Sequence, residues 1–257
     1  MRYKKGSPLI DTSIIFRLCS TIVFYIVWHI AQLINIVLYS TSYENKSKLR
    51  KYKGSAILVS NHTTFLDPVL VGGAMLPGRA WHTLLEKTVE TPFLGTFVRL
   101  LGGLPLPPGG NGIERVLASS GTAFKYHRFM HFYPEGECYR YNQKIMPFKS
   151  GAFFISARLN IPVFPLLTVF SEGRLKPGTL FARKFPKERL VVLDPVYPSC
   201  YIRYDDDGHI VMSSVKDFAE AVRSMMQKEI DKRHKINSRA GTQAYFKGRM
   251  PRIRGIN

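Results

Sequence analysis

The apolar segment near the start of the chain constrains the fold more than any other feature. Leu18 to Tyr39 is a run of 22 residues without a formal charge, and about 20 such residues can cross a bilayer as a helix. His29, Gln32 and Asn35 recur at every third position, so they share one helical face that lipid would disfavour. We therefore predict a helical membrane-associating segment over residues 1–44.

The sequence is compatible with three arrangements of this segment. It can be a single span, a helical pair that enters and leaves one leaflet, or a helix buried in a core. Basic residues occur on both sides of it, so the distribution of positive charge does not set an orientation.

The overall charge predicts an anionic partner. The 257 residues include 37 Lys and Arg against 18 Asp and Glu, a formal net charge of +19. Nucleic acid, anionic lipid headgroups and acidic proteins all fit this charge. An apolar share of 45% excludes wholesale disorder. Cys19, Cys138 and Cys200 lie far apart in the sequence, which argues against a disulfide framework or a zinc cluster and favours a reducing compartment.

Residues 45–257 show the alternation that is typical of an α/β domain. Short apolar runs predict strands at 55–60, 129–133, 161–168 and 189–194. Amphipathic periods predict helices at 68–76, 111–125 and 214–230, the second of them with a capping box of Asn111 and Glu114. We predict a largely parallel sheet flanked by helices. The basic end of the chain, 228–257, is predicted to be a partly ordered tail that is either solvated or in contact with lipid.

Two polar segments follow predicted strands, where α/β proteins place their sites. In the first, His62 ends a strand and Asp67 precedes Pro68. A turn between strand and helix would let the carboxylate orient the imidazole as a general base. The alternative is that Asp67 only caps the helix and His62 fills a turn.

The second segment, 132–137, brings Glu135 and Glu137 to another strand end, with Gly136 allowing a turn. The alternative is an ordinary turn after a strand. Downstream, Lys149 and Gly151 open a predicted helix whose start can hold an anion such as phosphate.

Taken in order, these segments resemble the motifs of one enzyme family. Asn61 and His62 with Asp67 match the pattern N-H-x-x-x-x-D. Residues 133–136 resemble F-P-E-G, and 147–151 resemble P-F-K-x-G.

Two further stretches extend the resemblance. Residues 161–165 are similar to a V-P-I-x-P block, and 86–103 to a lysine- and glycine-containing stretch between the first two motifs. From about residue 55 to 168 the chain thus resembles the glycerolipid acyltransferases of the 1-acylglycerol-3-phosphate acyltransferase type. That family has an αβ domain with an N-terminal helical membrane motif, in agreement with the pattern described above.

The resemblance implies an activity and its residues. His62 would take a proton from the hydroxyl of a lysophospholipid, Asp67 would orient His62, and the hydroxyl would attack the thioester of acyl-CoA or acyl carrier protein. No acyl-enzyme, metal or cofactor is implied. Substrate would be bound by Asn61, Glu135, Gly136 and Gly151, at the cytoplasmic face of a membrane with an anionic surface.

Two departures bear on the acceptor. The family has arginines, associated with the acceptor phosphate, where this chain has Pro108 and Cys138. Arg140, Lys144 and Lys149 can replace them, because lysine binds phosphate as a point charge. The expected product is then phosphatidic acid; otherwise the acceptor is a different lysolipid.

Other functions compete with this interpretation. Cys138 and His62 could form a nucleophilic pair. The charge also fits a non-catalytic protein that binds membrane or nucleic acid, although no nucleic-acid-binding signature occurs and we expect no nucleic-acid partner. The other histidines lack metal-ligand spacing, and residues 205–208 are predicted to be a solvated turn.

Overall fold

The computed structural model describes residues 3–171 and 186–239, with side chains up to His234. Its centre is a seven-stranded sheet in the order β1-β7-β6-β2-β5-β3-β4, in which only the β6–β7 pairing is antiparallel. The strands are β1 (Ser42–Glu44), β2 (Ala56–Ser60), β3 (Ala80–Leu85), β4 (Gly103–Leu106), β5 (Phe129–Phe132), β6 (Val163–Ser171) and β7 (Lys187–Val192).

Helices cover both faces of this sheet, which confirms the predicted α/β class. They are α1 (Ile14–Tyr39), α2 (Ser47–Lys51), α3 (Asp67–Met75), α4 (Glu86–Glu90), α5 (Leu94–Leu100), α6 (Gly110–Tyr126), α7 (Gly151–Leu159) and α8 (Met212–Arg239). Successive residues of a strand point to opposite faces. Ile57 and Val59 accordingly pack towards α6, α7 and α8, whereas Ala56 and Leu58 pack towards α2 and α3.

Several predicted boundaries shift. No side chain caps α6, which starts at Gly110 and contains Asn111, so the predicted capping box is wrong. Helix α8 extends beyond the predicted range, from Met212 to Arg239, and its buried apolar residues continue through Ile230. The remainder of the predicted tail, 240–257, lies outside the described residues. The sequence patterns predict no strand at the positions of β1, β3 and β4.

The apolar segment forms one continuous helix, so the helical pair is wrong. Among the described residues, α1 is the one helix long and apolar enough to cross a membrane by length and composition. Of the three polar residues that recur at every third position, Gln32 and Asn35 face inward, whereas His29 is exposed. The exposed face of α1 carries ten large apolar side chains: Ile14, Ile15, Leu18, Ile22, Ile26, Ile30, Leu33, Ile34, Ile36 and Val37.

The inward face of α1 is docked on the α/β domain along its whole length. Its buried residues recur at every third or fourth position: Phe16, Ser20, Phe24, Trp28, Gln32, Asn35 and Tyr39. Near the start, the buried Arg79 lies 4.1 Å from the Phe24 ring centroid and donates to Ser20 Oγ at 2.9 Å. At the end, the Tyr39 and Tyr141 hydroxyls are 3.1 Å apart. Helix α1 therefore lies along the domain rather than projecting from it.

Substituting Arg79 tests this docking. Arg79→Ala removes two hydrogen bonds, to Ser20 Oγ and Leu100 O, together with the contact on Phe24. We expect it to lower the free energy of unfolding by about 2 kcal/mol, because charged hydrogen bonds and cation–π contacts in buried sites contribute that much. Thermal unfolding in mild detergent measures the change.

The matched control is Arg189→Ala, whose side chain is 56% exposed and lies 3.7 Å from a Glu44 carboxylate oxygen. Exposed pairs of this kind contribute about 0.5 kcal/mol or less. Equal stability losses in the two variants would contradict the docking role of Arg79.

Candidate active site

The carboxyl ends of β2 and β5 bring the two predicted polar segments together. These strands are adjacent and parallel, with Val59 opposite Phe132. The turn after β2 contains His62, and the turn after β5 contains Glu135, so both side chains lie at the same edge of the sheet. This is the edge at which α/β sheets place their binding sites.

His62 and Asp67 form a hydrogen-bonded pair at this edge. The distance from His62 Nδ1 to Asp67 Oδ2 is 2.8 Å, and the Asp67 side chain is fully buried. Because an ionised carboxylate only accepts hydrogen bonds, this contact places the imidazole proton on Nδ1 and leaves Nε2 as the basic nitrogen. The His62 side chain is 20% exposed, so it lies at the surface of the edge.

Asp67 also organises the turn in which both residues lie. Its carboxylate accepts hydrogen bonds from the backbone amides of Thr63 at 2.6 Å and Thr64 at 3.0 Å, and from both threonine hydroxyls. Asp67 is the first residue of α3, and the cap position belongs to Leu66. The prediction that Asp67 is the N-cap is therefore wrong, because its carboxylate bonds back to the preceding turn.

Glu135 holds the same turn from the neighbouring segment. Its two carboxylate oxygens accept from the backbone amides of His62 and Met146, each at 3.0 Å. Burial raises the pKa of Glu135 to about 7. The amides of Tyr139 and Tyr141 donate to the carbonyl oxygens of His62 and Thr63, at 2.9 and 3.1 Å. The backbone of the turn is thus bonded on both sides.

A ring that sequence reasoning did not single out lies against His62. Tyr133 stacks on the imidazole with ring centroids 3.9 Å apart and planes inclined by 20°. The His131 ring meets Tyr133 edge-on at 4.4 Å, and His131 in turn bonds Ser60 and His82. Burial lowers the pKa of His82 to about 4 and that of His131 well below its usual value. Both are therefore neutral and add no positive charge beside His62 at neutral pH.

Asn61 lies behind the edge rather than in it. Its side-chain amide donates to Thr168 O at 3.0 Å and accepts from Thr168 N at 2.8 Å, so both ends of the amide are bonded to β6. Gly151, the first residue of α7, lies against the Ile113 side chain. The side chain of Asn61 is thus bonded to β6 and Gly151 packs against α6, so both residues support the surrounding elements.

The three cations predicted to replace the family arginines are exposed. Lys149 is the best placed, because its side chain lies over Gly136, where a Cβ atom would come within 2.5 Å of Nζ. Gly136 has φ +75°, a conformation that glycine adopts without strain. Arg140 lies over the Tyr141 ring at 4.9 Å, and Lys144 lies beyond it on the same segment.

Cys138 is buried, and burial raises the pKa of its thiol to about 12. The thiol is protonated at neutral pH, which argues against the Cys138–His62 nucleophilic pair because only the thiolate is a good nucleophile. The turn at 205–208 is exposed, and Asp205 accepts hydrogen bonds from the backbone amides of Asp207 and His209.

A second buried carboxyl group lies near the pair. Glu188 on β7 is 1% exposed, and its single hydrogen bond among the described residues comes from Thr41 Oγ1 at 3.4 Å. Burial, followed by the negative charge of Asp67, raises the pKa of Glu188 to about 8. No sequence pattern points to Glu188, because β7 is far from Asp67 along the chain and only the order of the strands brings the two residues near each other.

Comparison with known proteins places this site in context. The sequence model of the family described as Acyltransferase matches residues 40–169, about half of the chain. The 1-acyl-sn-glycerol-3-phosphate acyltransferase of Saccharomyces cerevisiae is 27% identical over 66% of this chain and 54% of its own length. The enzyme of the same name from Helicobacter pylori is 25% identical over 72% of this chain and 73% of its own.

A chloroplastic 1-acyl-sn-glycerol-3-phosphate acyltransferase from Brassica napus is 25% identical over 63% of this chain and 46% of its own length. The chain thus spans about half the length of the yeast and plant relatives. In structure it is similar to the 1-acyl-sn-glycerophosphate acyltransferase of Thermotoga maritima, with a TM-score of 0.54, 15% identity, and coverage of 85% of this chain and 96% of that one.

The buried carboxyl group of Glu188 is expected to make stability depend on pH. Its pKa is raised from 4.5 to about 8 in the folded state, so the folded protein holds a proton that the unfolded chain has released between these values. Stability therefore falls as the pH rises through that window. In Glu188→Gln we expect a smaller loss of melting temperature between about pH 5 and about pH 8 than in the parent.

Thermal unfolding at the two pH values gives this difference, with Glu114→Gln, an exposed carboxylate on α6, as the matched control. An equal loss in Glu188→Gln and the parent would show that Glu188 does not take up a proton on folding.

Proposed function

This chain belongs to the acyltransferase family, and on that premise we propose that it transfers a fatty acyl group from an acyl thioester to the hydroxyl of a lysophospholipid. The observation that carries the proposal is the 2.8 Å bond between His62 Nδ1 and the buried Asp67 carboxylate. It leaves Nε2 available at a partly exposed edge, as a general base requires.

In the proposed reaction, His62 Nε2 takes the proton of the acceptor hydroxyl while its oxygen attacks the thioester carbonyl carbon. The tetrahedral intermediate collapses with loss of the thiolate, which receives the proton from His62. One ester bond forms, one thioester bond breaks, and the imidazole returns to its starting state. Asp67 stabilises the imidazolium that exists between the two proton transfers.

Glu135 and Tyr133 are proposed to position the base. Glu135 bonds the amide of His62, and the Tyr133 ring covers one face of the imidazole. Since a base must be held close to its productive geometry, these contacts restrict the ring to one orientation. Asn61 supports the base indirectly, because its side chain bonds the end of β2 to β6.

The proposed acceptor is 1-acylglycerol-3-phosphate, and the product is phosphatidic acid. Lys149 is proposed to bind the phosphate, since its ammonium group lies over the Glu135–Gly136 turn next to His62. Arg140 and Lys144 extend the positive charge along the same segment. The alternative acceptor is a different lysolipid, because Pro108 and Cys138 carry none of the charge that the family arginines supply.

The proposed donor is acyl-CoA or acyl carrier protein. Both are anionic and suit a chain with a net charge of +19. The exposed apolar face of α1 and the basic surface favour a membrane with anionic lipids. The free cysteines favour its cytoplasmic side, where thiols stay reduced.

Replacing the proposed base tests the reaction. His62→Ala should lower kcat by about a thousandfold, the usual contribution of a general base. Free thiol released from acyl-CoA or acyl carrier protein, in vesicles that contain 1-acylglycerol-3-phosphate, measures the rate. The matched control is His209→Ala, which removes an exposed histidine far along the chain from the edge.

Acceptor-dependent thiol release that survives in His62→Ala would refute the proposed base. A folded parent protein that transfers acyl groups to no lysolipid from either donor would instead favour the non-catalytic membrane-binding function.

The role of Lys149 has a separate signature. Lys149→Ala should raise KM for 1-acylglycerol-3-phosphate about tenfold with little change in kcat, because a charge-assisted contact to phosphate is lost. A monoacylglycerol acceptor, which has no phosphate, should be unaffected, and Lys216→Ala on α8 is the matched control. Equal changes for both acceptors would contradict phosphate recognition by Lys149.

A further inference from the structure

An aromatic corner precedes α5 at the carboxyl end of β3. We call Phe93, Leu94 and Phe97 the Phe93 corner; their exposed fractions are 92%, 46% and 42%. Among the described residues, Phe93 is the most exposed large apolar side chain. Leaving a phenylalanine in water is unfavourable, since its apolar area gains free energy on burial.

The backbone of Phe93 is strained in a way that displays this ring. Phe93 has φ +60° and ψ −57°, and the Leu94 amide donates to Pro92 O at 2.6 Å. Together these define a classic γ-turn, which is rare and strained for a residue with a bulky side chain. Strain that persists at one exposed position points to a role outside the folded core.

The strain is not a sign of a loose loop. The Phe97 amide donates to Phe93 O at 3.0 Å, and the Gly95 amide donates to Thr91 O at 2.8 Å. Gly95 lies so close to the Val89 carbonyl group that a Cβ atom would not fit. The corner is therefore built by packing and hydrogen bonds that hold the Phe93 ring outward.

Helix α5, which begins at the corner, packs against α1. Ser20 of α1 donates to Leu100 O at the end of α5 at 2.6 Å, and Arg99 of α5 lies over the Phe16 ring at 5.3 Å. The apolar surface of α1 and that of the Phe93 corner thus belong to two helices in direct contact. The exposed apolar side chains of α1 and of the corner together number thirteen, whereas soluble surfaces normally carry such side chains singly.

The same edge of the sheet carries two more exposed apolar side chains. Phe65, 67% exposed, lies in the turn between His62 and Asp67, and Leu85, 66% exposed, ends β3. Strands β2 and β3 are both parallel to β5, so their carboxyl ends share one edge. Apolar exposure is therefore found at the edge that contains the His62–Asp67 pair.

Charge identifies the occupant of this surface. Exposed cations flank α1 at both ends, with Lys4, Lys5 and Arg17 at the start and Arg50 and Lys51 after the end. An apolar face bordered by cations is complementary to the interface of an anionic lipid leaflet. Both ends of α1 are docked on one domain, which places them on the same side of the bilayer.

We propose that the Phe93 corner inserts into the same anionic lipid leaflet that the exposed face of α1 contacts, which turns the His62 edge towards the membrane. The corner is a second lipid contact, built separately from α1. This inference does not rest on the proposed acyl transfer, because it concerns lipid binding alone.

Fluorescence at position 93 tests the insertion. Phe93→Trp in the full chain is mixed with vesicles of phosphatidylcholine and phosphatidylglycerol, with and without brominated acyl chains. The emission of Trp28 and Trp81 is subtracted with the parent protein. We expect a blue shift and bromine quenching at position 93. Tyr204→Trp, at an exposed position outside the apolar surface, is the matched control and should show neither.

A second variant separates lipid contact from folding. Phe93→Asn places a residue that tolerates positive φ in the turn, so we expect an equal or higher melting temperature. Its affinity for the same vesicles in a flotation assay should fall about tenfold, because the burial of one phenylalanine is lost. Tyr204→Asn should keep the parent affinity.

Either of two results would overturn the proposal. One is an emission at position 93 that vesicles do not change, together with parent affinity in Phe93→Asn. The other is a blue shift without lipid that grows with protein concentration, which would make the corner a contact between copies of this chain.

Discussion

The carboxylate of Asp67 is the group on which the edge of the sheet depends. It accepts five hydrogen bonds from three consecutive residues, His62, Thr63 and Thr64, while fully buried. A chain that turns this sharply exposes amides that need acceptors. The Asp67 carboxylate accepts from the amides of Thr63 and Thr64, and Glu135 accepts from that of His62. The carbonyl groups of His62 and Thr63 accept hydrogen bonds from the segment after β5. These contacts therefore depend on the conformation of the turn.

The sheet was predictable where burial leaves a continuous apolar run. The central strands β2, β5 and β6 are such runs, and their predicted positions agree with the structure to within a few residues. The edge strands were not predicted. Strand β4 contains Pro105, which is tolerated only where one side lacks a partner strand, and β1 has three residues, too few for a period. The sequence predicts the extent of helix α1. It does not predict which residues of α1 pack against the domain, since their partners lie elsewhere in the chain.

The site was predictable only as far as local spacing and family resemblance reach. The spacing of His62 and Asp67 alone favours a helix cap over a pair, whereas the structure shows the hydrogen-bonded pair and puts Leu66 at the cap. Tyr133 contacts His62, which lies 71 residues away in the chain, and Asn61 contacts Thr168, which lies 107 residues away. Separations of this size follow from strand order, which one sequence does not specify.

The proposed chemistry and the proposed headgroup recognition occupy different stretches of the chain. The base and every donor to its carboxylate lie within residues 62–67, whereas the cations lie on 140–149. Replacing the side chain of one of these cations leaves every donor to the Asp67 carboxylate in place. Substitution of these cations can therefore change the headgroup that the proposed enzyme prefers while the base is retained. Pro108 and Cys138, which stand where the family has arginines, likewise lie outside residues 62–67.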